Sequence, residues 1–358
     1  MWRERRKIVE IWRGGRAAAL ATLVAVEGSS YRRPGARLLV AKDGGYAGSI
    51  SGGCLEAEVV RKARWLVRDG AAVQHYSTAM DDASEIPYGL GCGGSVEVLL
   101  EPAGTPEFQI LMDALARSLE GETSEIDTTL PAEGRALSRV VRTIATGITS
   151  GTVASDTDSD QAEPEIYSER IEPPQRVLVF GAGDDAHPLA NMADLLGWRV
   201  IVVDGRANMA RPERFPAAER VVVADPDAPL GFPILPNDFA VVMTHSYEQD
   251  RAWLHRLLPA RLQYLGLLGA RHRSALLAGE IAALLAWPLQ EVCDRLRAPV
   301  GLDLGGDGAE AIALAIIAEM QACAAHRPIL SRRMTPAIVA EQIAQGSDTR
   351  RYETQCAL

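Results

Sequence analysis

Apolar and polar positions divide the chain into two patterned halves separated by a polar stretch. Ala17–Val26 is an apolar run with β-branched residues, which predicts a buried strand after a short N-terminal helix. Arg37–Ala41 and Tyr46–Ser49 flank Lys42-Asp43-Gly44-Gly45, and two such runs around a glycine turn predict a β-hairpin. Glu56–Val67 places Val59, Val60, Ala63, Leu66 and Val67 on one helical side, and Val96–Leu100 alternates as a strand ending at Pro102. Phe108–Leu119 has amphipathic helical spacing, and Arg135–Ile148 is expected to supply a strand or two that could return to the first domain.

The second half opens with a short apolar strand, Val177–Phe180. Gly181-Ala182-Gly183-Asp184-Asp185-Ala186 follows, then a helical stretch to Leu196 that Gly197 stops, then a second strand at Arg199–Val203. Arg220–Val223, Phe239–Met243 and Tyr264–Leu268 are further strands, and their alternation with helical stretches predicts a parallel, doubly wound sheet. The expected fold class is α/β: a small N-terminal α/β domain over residues 1–149 and a C-terminal Rossmann-like domain over 175–330. Ser150–Pro174, rich in Asp, Glu, Ser and Pro, reads as an acidic linker, and residues 331–358 read as a C-terminal tail.

Composition narrows the classes. With 47% apolar and 23% charged residues in 358, the chain is that of an ordinary globular protein. No run approaches ~18 uninterrupted apolar residues, so no membrane span is expected. The N-terminal Met-Trp-Arg-Glu-Arg-Arg-Lys lacks an apolar segment, so no secretory signal is expected, and five cysteines without one fit a reducing cytoplasm. The net charge of −10 divides as +2 over residues 1–101, −9 over 102–174 and −3 over 175–358. No part is basic enough to indicate nucleic-acid binding. Neither a Walker loop nor HExxH is present, so NTPase and zinc-protease chemistry finds no support.

Three stretches carry candidate chemistry. In Gly181-x-Gly183-x-x-Ala186, Gly181 permits a tight turn, Gly183 lets backbone approach a pyrophosphate, and Ala186 lets helix and strand pack closely. Asp204 follows Gly183 by 21 residues at the end of the next strand, where a carboxylate would take ribose hydroxyls. Asp184 and Asp185 weaken that reading by placing carboxylates where an anion should sit, and Arg206 blurs any dinucleotide preference. Cys54 in Gly48-Ser-Ile-Ser-Gly-Gly-Cys-Leu-Glu56 and Cys92 in Gly89-Leu-Gly-Cys-Gly-Gly94 are embedded in glycine. Thiolates there would be soft metal ligands open to a bulky partner, the alternative being small residues in crowded turns. Ser29, Ser30, Arg32 and Arg33 lie on a Gly/Pro loop, Gly28–Gly35, which could hold a phosphate or another oxyanion, or could be an ordinary polar loop. His245 after the strand Phe239–Thr244, Arg271 after Gly-Leu-Leu-Gly-Ala, and Asp303 on a glycine-rich loop rank behind these.

Together, Gly28–Gly35, Gly48–Glu56, Gly89–Pro102, Phe180–Ala186, Val202–Arg206, Thr244-His245, Tyr264–Arg271 and Arg297–Asp303 resemble the XdhC/CoxI family of xanthine dehydrogenase accessory proteins. The segment of roughly 103–172 gives no match. Similar proteins often carry His directly after the Gly-x-Gly, where this chain has Asp184. The resemblance implies a cytoplasmic maturation protein that binds molybdenum cofactor in its molybdopterin form, holds or helps sulfurate it, and delivers it to a molybdenum hydroxylase. A cysteine desulfurase is the implied second partner. Cys54 and Cys92 would then hold the molybdenum end, and the Rossmann half the phosphate or nucleotide end. The competing functions are an NAD(P)-dependent oxidoreductase using the same Rossmann half and a purely structural partner of a dehydrogenase complex. The helix Ala309–Met320, apolar nearly all round, adds the expectation of a homodimer.

Overall fold

Local rules place the elements in a computed structural model that describes residues 2–28, 30–53, 55–77, 94–144 and 164–328. In chain order the first half consists of α1 (Trp2–Arg13), β1 (Ala17–Glu27), β2 (Arg37–Ala41), β3 (Tyr46–Gly48), α2 (Glu56–Leu66), β4 (Ala72–Ser77), β5 (Ser95–Pro102), α3 (Pro106–Glu120), β6 (Thr123–Thr129), β7 (Ser138–Ile144) and β8 (Ile166–Ile171). The second half adds β9 (Arg176–Phe180), α4 (Ala186–Leu195), β10 (Arg199–Asp204), β11 (Arg220–Val223), β12 (Phe239–Val242), α5 (Tyr247–Leu257), β13 (Tyr264–Leu267), α6 (Arg271–Leu285), α7 (Leu289–Arg295) and α8 (Ala309–Ala324). The helix α3 shows how sharply some boundaries are specified. Thr105 caps it by accepting from the Phe108 amide at 3.2 Å, Pro106 opens its first turn, and Gly121 closes it in the left-handed region at φ 110°.

The first sheet has the order β3-β2-β1-β5-β4, with β1 antiparallel to both β2 and β5. The predicted hairpin is there, Leu38 opposite Gly48 and Val40 opposite Tyr46. α2 covers one face through Val59 and Ala63, while α1 and α3 cover the other through Ile8, Phe108 and Leu111. The described part of Arg135–Ile148, which ends at residue 144, does not pair with that sheet. Its strand β7 pairs with β6, and β6 pairs with β8, in a separate antiparallel sheet of order β7-β6-β8. The stretch read as an acidic linker therefore carries a strand over Ile166–Ile171, because the backbone of β6 supplies ladder partners that composition does not reveal. Buried ion pairs tie this sheet to the first: Arg139 on β7 to Glu101 on β5, and Arg37 on β2 to Glu169 on β8.

The second half is the expected Rossmann-like sheet. All five strands are parallel in the order β11-β10-β9-β12-β13, and the inner ones are buried on both faces and therefore continuously apolar in sequence. Val177, Val179, Val200 and Val202 pack with Leu189 and Ile316 from α4 and α8; Leu178, Phe180, Ile201 and Val203 pack with Trp253, Leu277 and Val292 from α5, α6 and α7. The helix α1 spans both halves, with Trp2 against the Rossmann core and Arg6 donating to the Gly197 carbonyl at 3.0 Å. Among the described residues no single helix is long and apolar enough to cross a membrane.

Candidate functional site

Strand order sets the place where a ligand can enter. The chain leaves β9 towards β10 on one side and later returns to β12 on the other, so the carboxyl ends of β9 and β12 form the topological switch point. The Gly181-x-Gly183 turn lies there. Gly181 has φ 125°, and a Cβ on it would stand 2.4 Å from the Met243 carbonyl oxygen, so the turn off β9 admits only glycine. Ala186, fully buried, begins α4.

Asp204 is where the sequence places it, at the end of β10, but its partners differ from expectation. Oδ2 accepts from the Ala182 amide at 2.7 Å and from Arg206 Nη2 at 2.8 Å; Oδ1 accepts from the Arg206 amide at 2.8 Å and its Nε at 3.0 Å. With both oxygens engaged and 2% of the residue exposed, Asp204 holds the glycine turn closed from behind instead of presenting a ribose acceptor. Burial alone would raise its pKa, but the bonds from Arg206 and the two amides outweigh burial and lower it below the ordinary aspartate value. An unfolded aspartate titrates near ~3.9, so this stabilisation is complete above that pH and disappears as pH falls through the lower folded value. Asp204→Asn is expected to lower Tm at neutral pH and to flatten the acid limb of Tm against pH. Parallel acid limbs in parent and variant would contradict this role.

The rim of the turn is built from charged residues. Asp185 Oδ2 lies 2.7 Å from His245 Nε2, and Asp184 accepts from Arg214 Nη2 at 2.6 Å. Arg214 also donates to the Ala182 carbonyl at 2.9 Å and lies 3.2 Å from His187 Nε2, whose ring stacks on Phe215 at 4.3 Å. The turn that would receive a pyrophosphate thus already holds two internal carboxylates, each paired with a cationic or imidazole partner. His245 occupies the left-handed region at φ 63°, a conformation costing about 1–3 kcal/mol outside glycine. Its neighbours hold it there. Thr244 Oγ1 donates to buried Asp250 at 2.6 Å and accepts from the Ser246 amide at 3.2 Å. Arg273 reaches the other Asp250 oxygen at 2.6 Å. Asp250, Arg273 and Arg214 were not among the sequence candidates; Arg271, which was, lies exposed at the start of α6. The only sequence signal for Asp250 was an acid in the first turn of a helix capped by Ser246.

In the N-terminal half two of the predicted loops meet. A side chain built on Gly52 would lie 3.7 Å from Tyr31 Cγ, so Tyr31, itself 77% exposed, stands over the second glycine loop. Arg32 is already paired with an internal carboxylate: its Nη2 donates to Glu4 of α1 at 2.6 Å, which leaves Arg33 as the exposed guanidinium of that loop beside half-buried Ser30. Glu56 organises the neighbouring loop. Its Oε1 accepts from the Ile50 amide at 3.0 Å, the Ser51 amide at 2.8 Å and Ser49 Oγ at 2.8 Å, and its Oε2 accepts from Ser51 Oγ. Burial would raise the Glu56 pKa, but these bonds from Ser51 and Ser49 lower it. Cys54, Cys92 and Ser29 lie outside the described residues. Among the described residues no group of three or more His, Cys, Asp or Glu side chains is arranged to hold a metal ion.

The chain matches two family descriptions, the XdhC Rossmann domain over residues 177–320 and the XdhC and CoxI family over residues 11–77. A Bacillus subtilis (strain 168) protein described as a probable xanthine dehydrogenase subunit is 33% identical over 322 residues, which cover 85% of this chain and 92% of that protein. The molybdenum cofactor insertion chaperone PaoD of Escherichia coli (strain K12) is 24% identical over 328 residues, 89% of this chain and 87% of PaoD. A crystal structure described as a xanthine dehydrogenase from Bacillus halodurans superposes with TM-score 0.73 at 28% identity, covering 94% of this chain and 99% of that one.

Proposed function

Because this chain belongs to the XdhC/CoxI family, we propose that it is a maturation protein for a xanthine dehydrogenase-type molybdenum hydroxylase. Its cargo is molybdenum cofactor in the molybdopterin form, which it holds, helps to keep or make sulfurated, and delivers to the client enzyme in the cytoplasm. The observation that carries this most is the likeness to a molybdenum cofactor insertion chaperone over 89% of the chain, extending through both halves.

The chemistry supports the same division of labour. Cys54 and Cys92 offer soft thiolates to the molybdenum end. Tyr31 beside Gly52 offers an exposed aromatic face, with Ser30 and Arg33 on the same loop, for a flat pterin and its anionic tail. His245 at the switch point and Arg271 at the start of α6 remain the candidates to meet a phosphate or nucleotide, while Gly181, Gly183, Ala186 and Asp204 shape the turn. A cysteine desulfurase would supply sulfur. Homodimer formation belongs to the same proposal, supported by Ile312 and Leu314 standing exposed on α8. The competing function, an NAD(P)-dependent oxidoreductase, is disfavoured by the engagement of Asp204 and by the carboxylates of Asp184 and Asp185 at the turn.

Cys54→Ser and Cys92→Ser test the proposal at the cargo. Serine is nearly isosteric but a hard, essentially neutral ligand. Each change is expected to cost on the order of 1–3 kcal/mol, roughly ten- to a hundredfold in cofactor retention, with the fold intact. Cys293→Ser, at an exposed position, is the control and should behave as the parent. If all three variants retain cofactor and activate the client enzyme as the parent does, the thiols are structural.

A further inference from the structure

The loop Ser49–Gly53 has its polar contacts on the inner side, while on the outer side Gly52 lies against the exposed Tyr31 ring and Gly53 is bare. Gly52 and Gly53 are exposed, and nothing lies within 4 Å of a Cβ placed on Gly53, whose φ is 116°. Beneath them Glu56, 5% exposed, gathers the amides of Ile50 and Ser51 and the hydroxyls of Ser49 and Ser51 on one carboxylate. Ser51 Oγ then serves as a relay: while donating to Glu56 it accepts from the amides of Gly53 and Leu55, each at 3.2 Å. Those two amides flank Cys54 in the chain.

We infer that Glu56 and Ser51 are positioning residues for the molybdenum-cofactor cargo, a latch that sets the backbone on both sides of Cys54 so that the glycine face stays open to the ligand. This rests on the function proposed above and assigns it two residues that touch the loop, not the cargo. A purely apolar anchor at position 56 could fill the same space, but it would leave buried amides and hydroxyls without acceptors. A charged acceptor instead fixes four donors in direction as well as in place. The exposed side carries no comparable restraint among the described residues. The loop is therefore held where it faces the protein and bears only the exposed Tyr31 ring where it faces solvent, the arrangement expected of a preorganised site.

Glu56→Gln separates the two halves of the latch. The glutamine oxygen can keep the Ser49–Ser51 donors, but its amide group replaces Oε2 with a donor aimed at Ser51 Oγ. It then competes with the Gly53 and Leu55 amides for the same hydroxyl oxygen. Retention of molybdenum cofactor by the full-length protein should fall about tenfold, with Tm within a few degrees of the parent. Ser51→Ala removes the relay itself and should fall by a similar factor. The double variant should be no worse than the poorer single one, because both act through one contact. Alkylation of Cys54 by N-ethylmaleimide, read by peptide mass spectrometry on cofactor-free protein, should quicken in both variants. If Glu56→Gln keeps parental affinity while Cys54→Ser loses it, the latch is overturned and the proposed function stands. If the cysteine variants also keep the cofactor, the thiols are structural and the latch, which acts through Cys54, is overturned; if the parent protein itself takes up no molybdenum cofactor, the function fails. An unchanged alkylation rate overturns the latch whatever the cofactor does, and Ser51→Ala carries the test if Glu56→Gln does not fold.

Discussion

Glu101→Ala is expected to destabilise the protein by about 3–5 kcal/mol, among the largest effects of any single substitution outside the glycine turn. Glu101 is fully buried on β5 and takes both terminal nitrogens of Arg139 on β7, at 2.6 and 2.8 Å. The Arg139 side chain is 1% exposed and also donates to the Glu107 carbonyl at 2.9 Å, so it joins both sheets and the start of α3. Removing the carboxylate leaves a guanidinium in the interior with one carbonyl and one distant hydroxyl, Thr128 Oγ1 at 3.3 Å. The cost comes from the charge left behind and not from the worth of the pair. The double variant Glu101→Leu with Arg139→Met should therefore recover most of the loss. Urea denaturation of the three proteins decides it: a double variant as unstable as Glu101→Ala would show that packing, not charge, set the cost.

Gly181→Ala should cost a comparable amount, about 3 kcal/mol or more, from two sources. The residue would have to adopt φ 125°, and its Cβ would press on the Met243 carbonyl at 2.4 Å and on the Thr244 amide at 2.9 Å. Those atoms are backbone at the buried end of β12 and have no room to yield. Gly183→Ala is the contrast. Its Cβ would meet the Asp185 carboxylate at 2.6 Å, a side chain able to swing away, and its φ is ordinary. The expected cost is about 1 kcal/mol, felt mainly as a displaced Asp185–His245 contact. Thermal unfolding that ranks the two variants equally would refute this assignment of Gly181.

How far such structure can be read from sequence depends on where apolar groups carry the information. The Rossmann strands are legible because β9, β10, β12 and β13 are buried on both faces and so appear as unbroken apolar runs. The strand β6 has perfect alternation of burial, but its inward positions include Ser124 and Thr128 beside Ile126, so no hydrophobic period marks it. The strand β8, mostly exposed, takes its place from the ladder with β6 and the Arg37–Glu169 pair, both contacts of long sequence separation. Candidate site residues follow the same logic. The glycine turn, Asp204 and His245 lie at the strand ends where the pattern puts them, since turn chemistry is local. What Asp204 and Arg32 bond to was not legible, because Arg206 and Glu4 compete for them in three dimensions. Glu56 was visible only as the last letter of a cysteine motif, although it holds that motif's loop together.

The central claim is that this chain carries molybdenum cofactor, and the most direct measurement is the ligand content of freshly purified protein. Molybdenum is determined by elemental analysis, and pterin and dinucleotide by fluorescence and mass spectrometry. The account predicts molybdenum and pterin in near-equal amounts approaching the protein concentration, with little NAD(P)H turnover. Protein that holds no pterin or molybdenum, takes up none when offered, and oxidises NAD(P)H with a small-molecule substrate would contradict it.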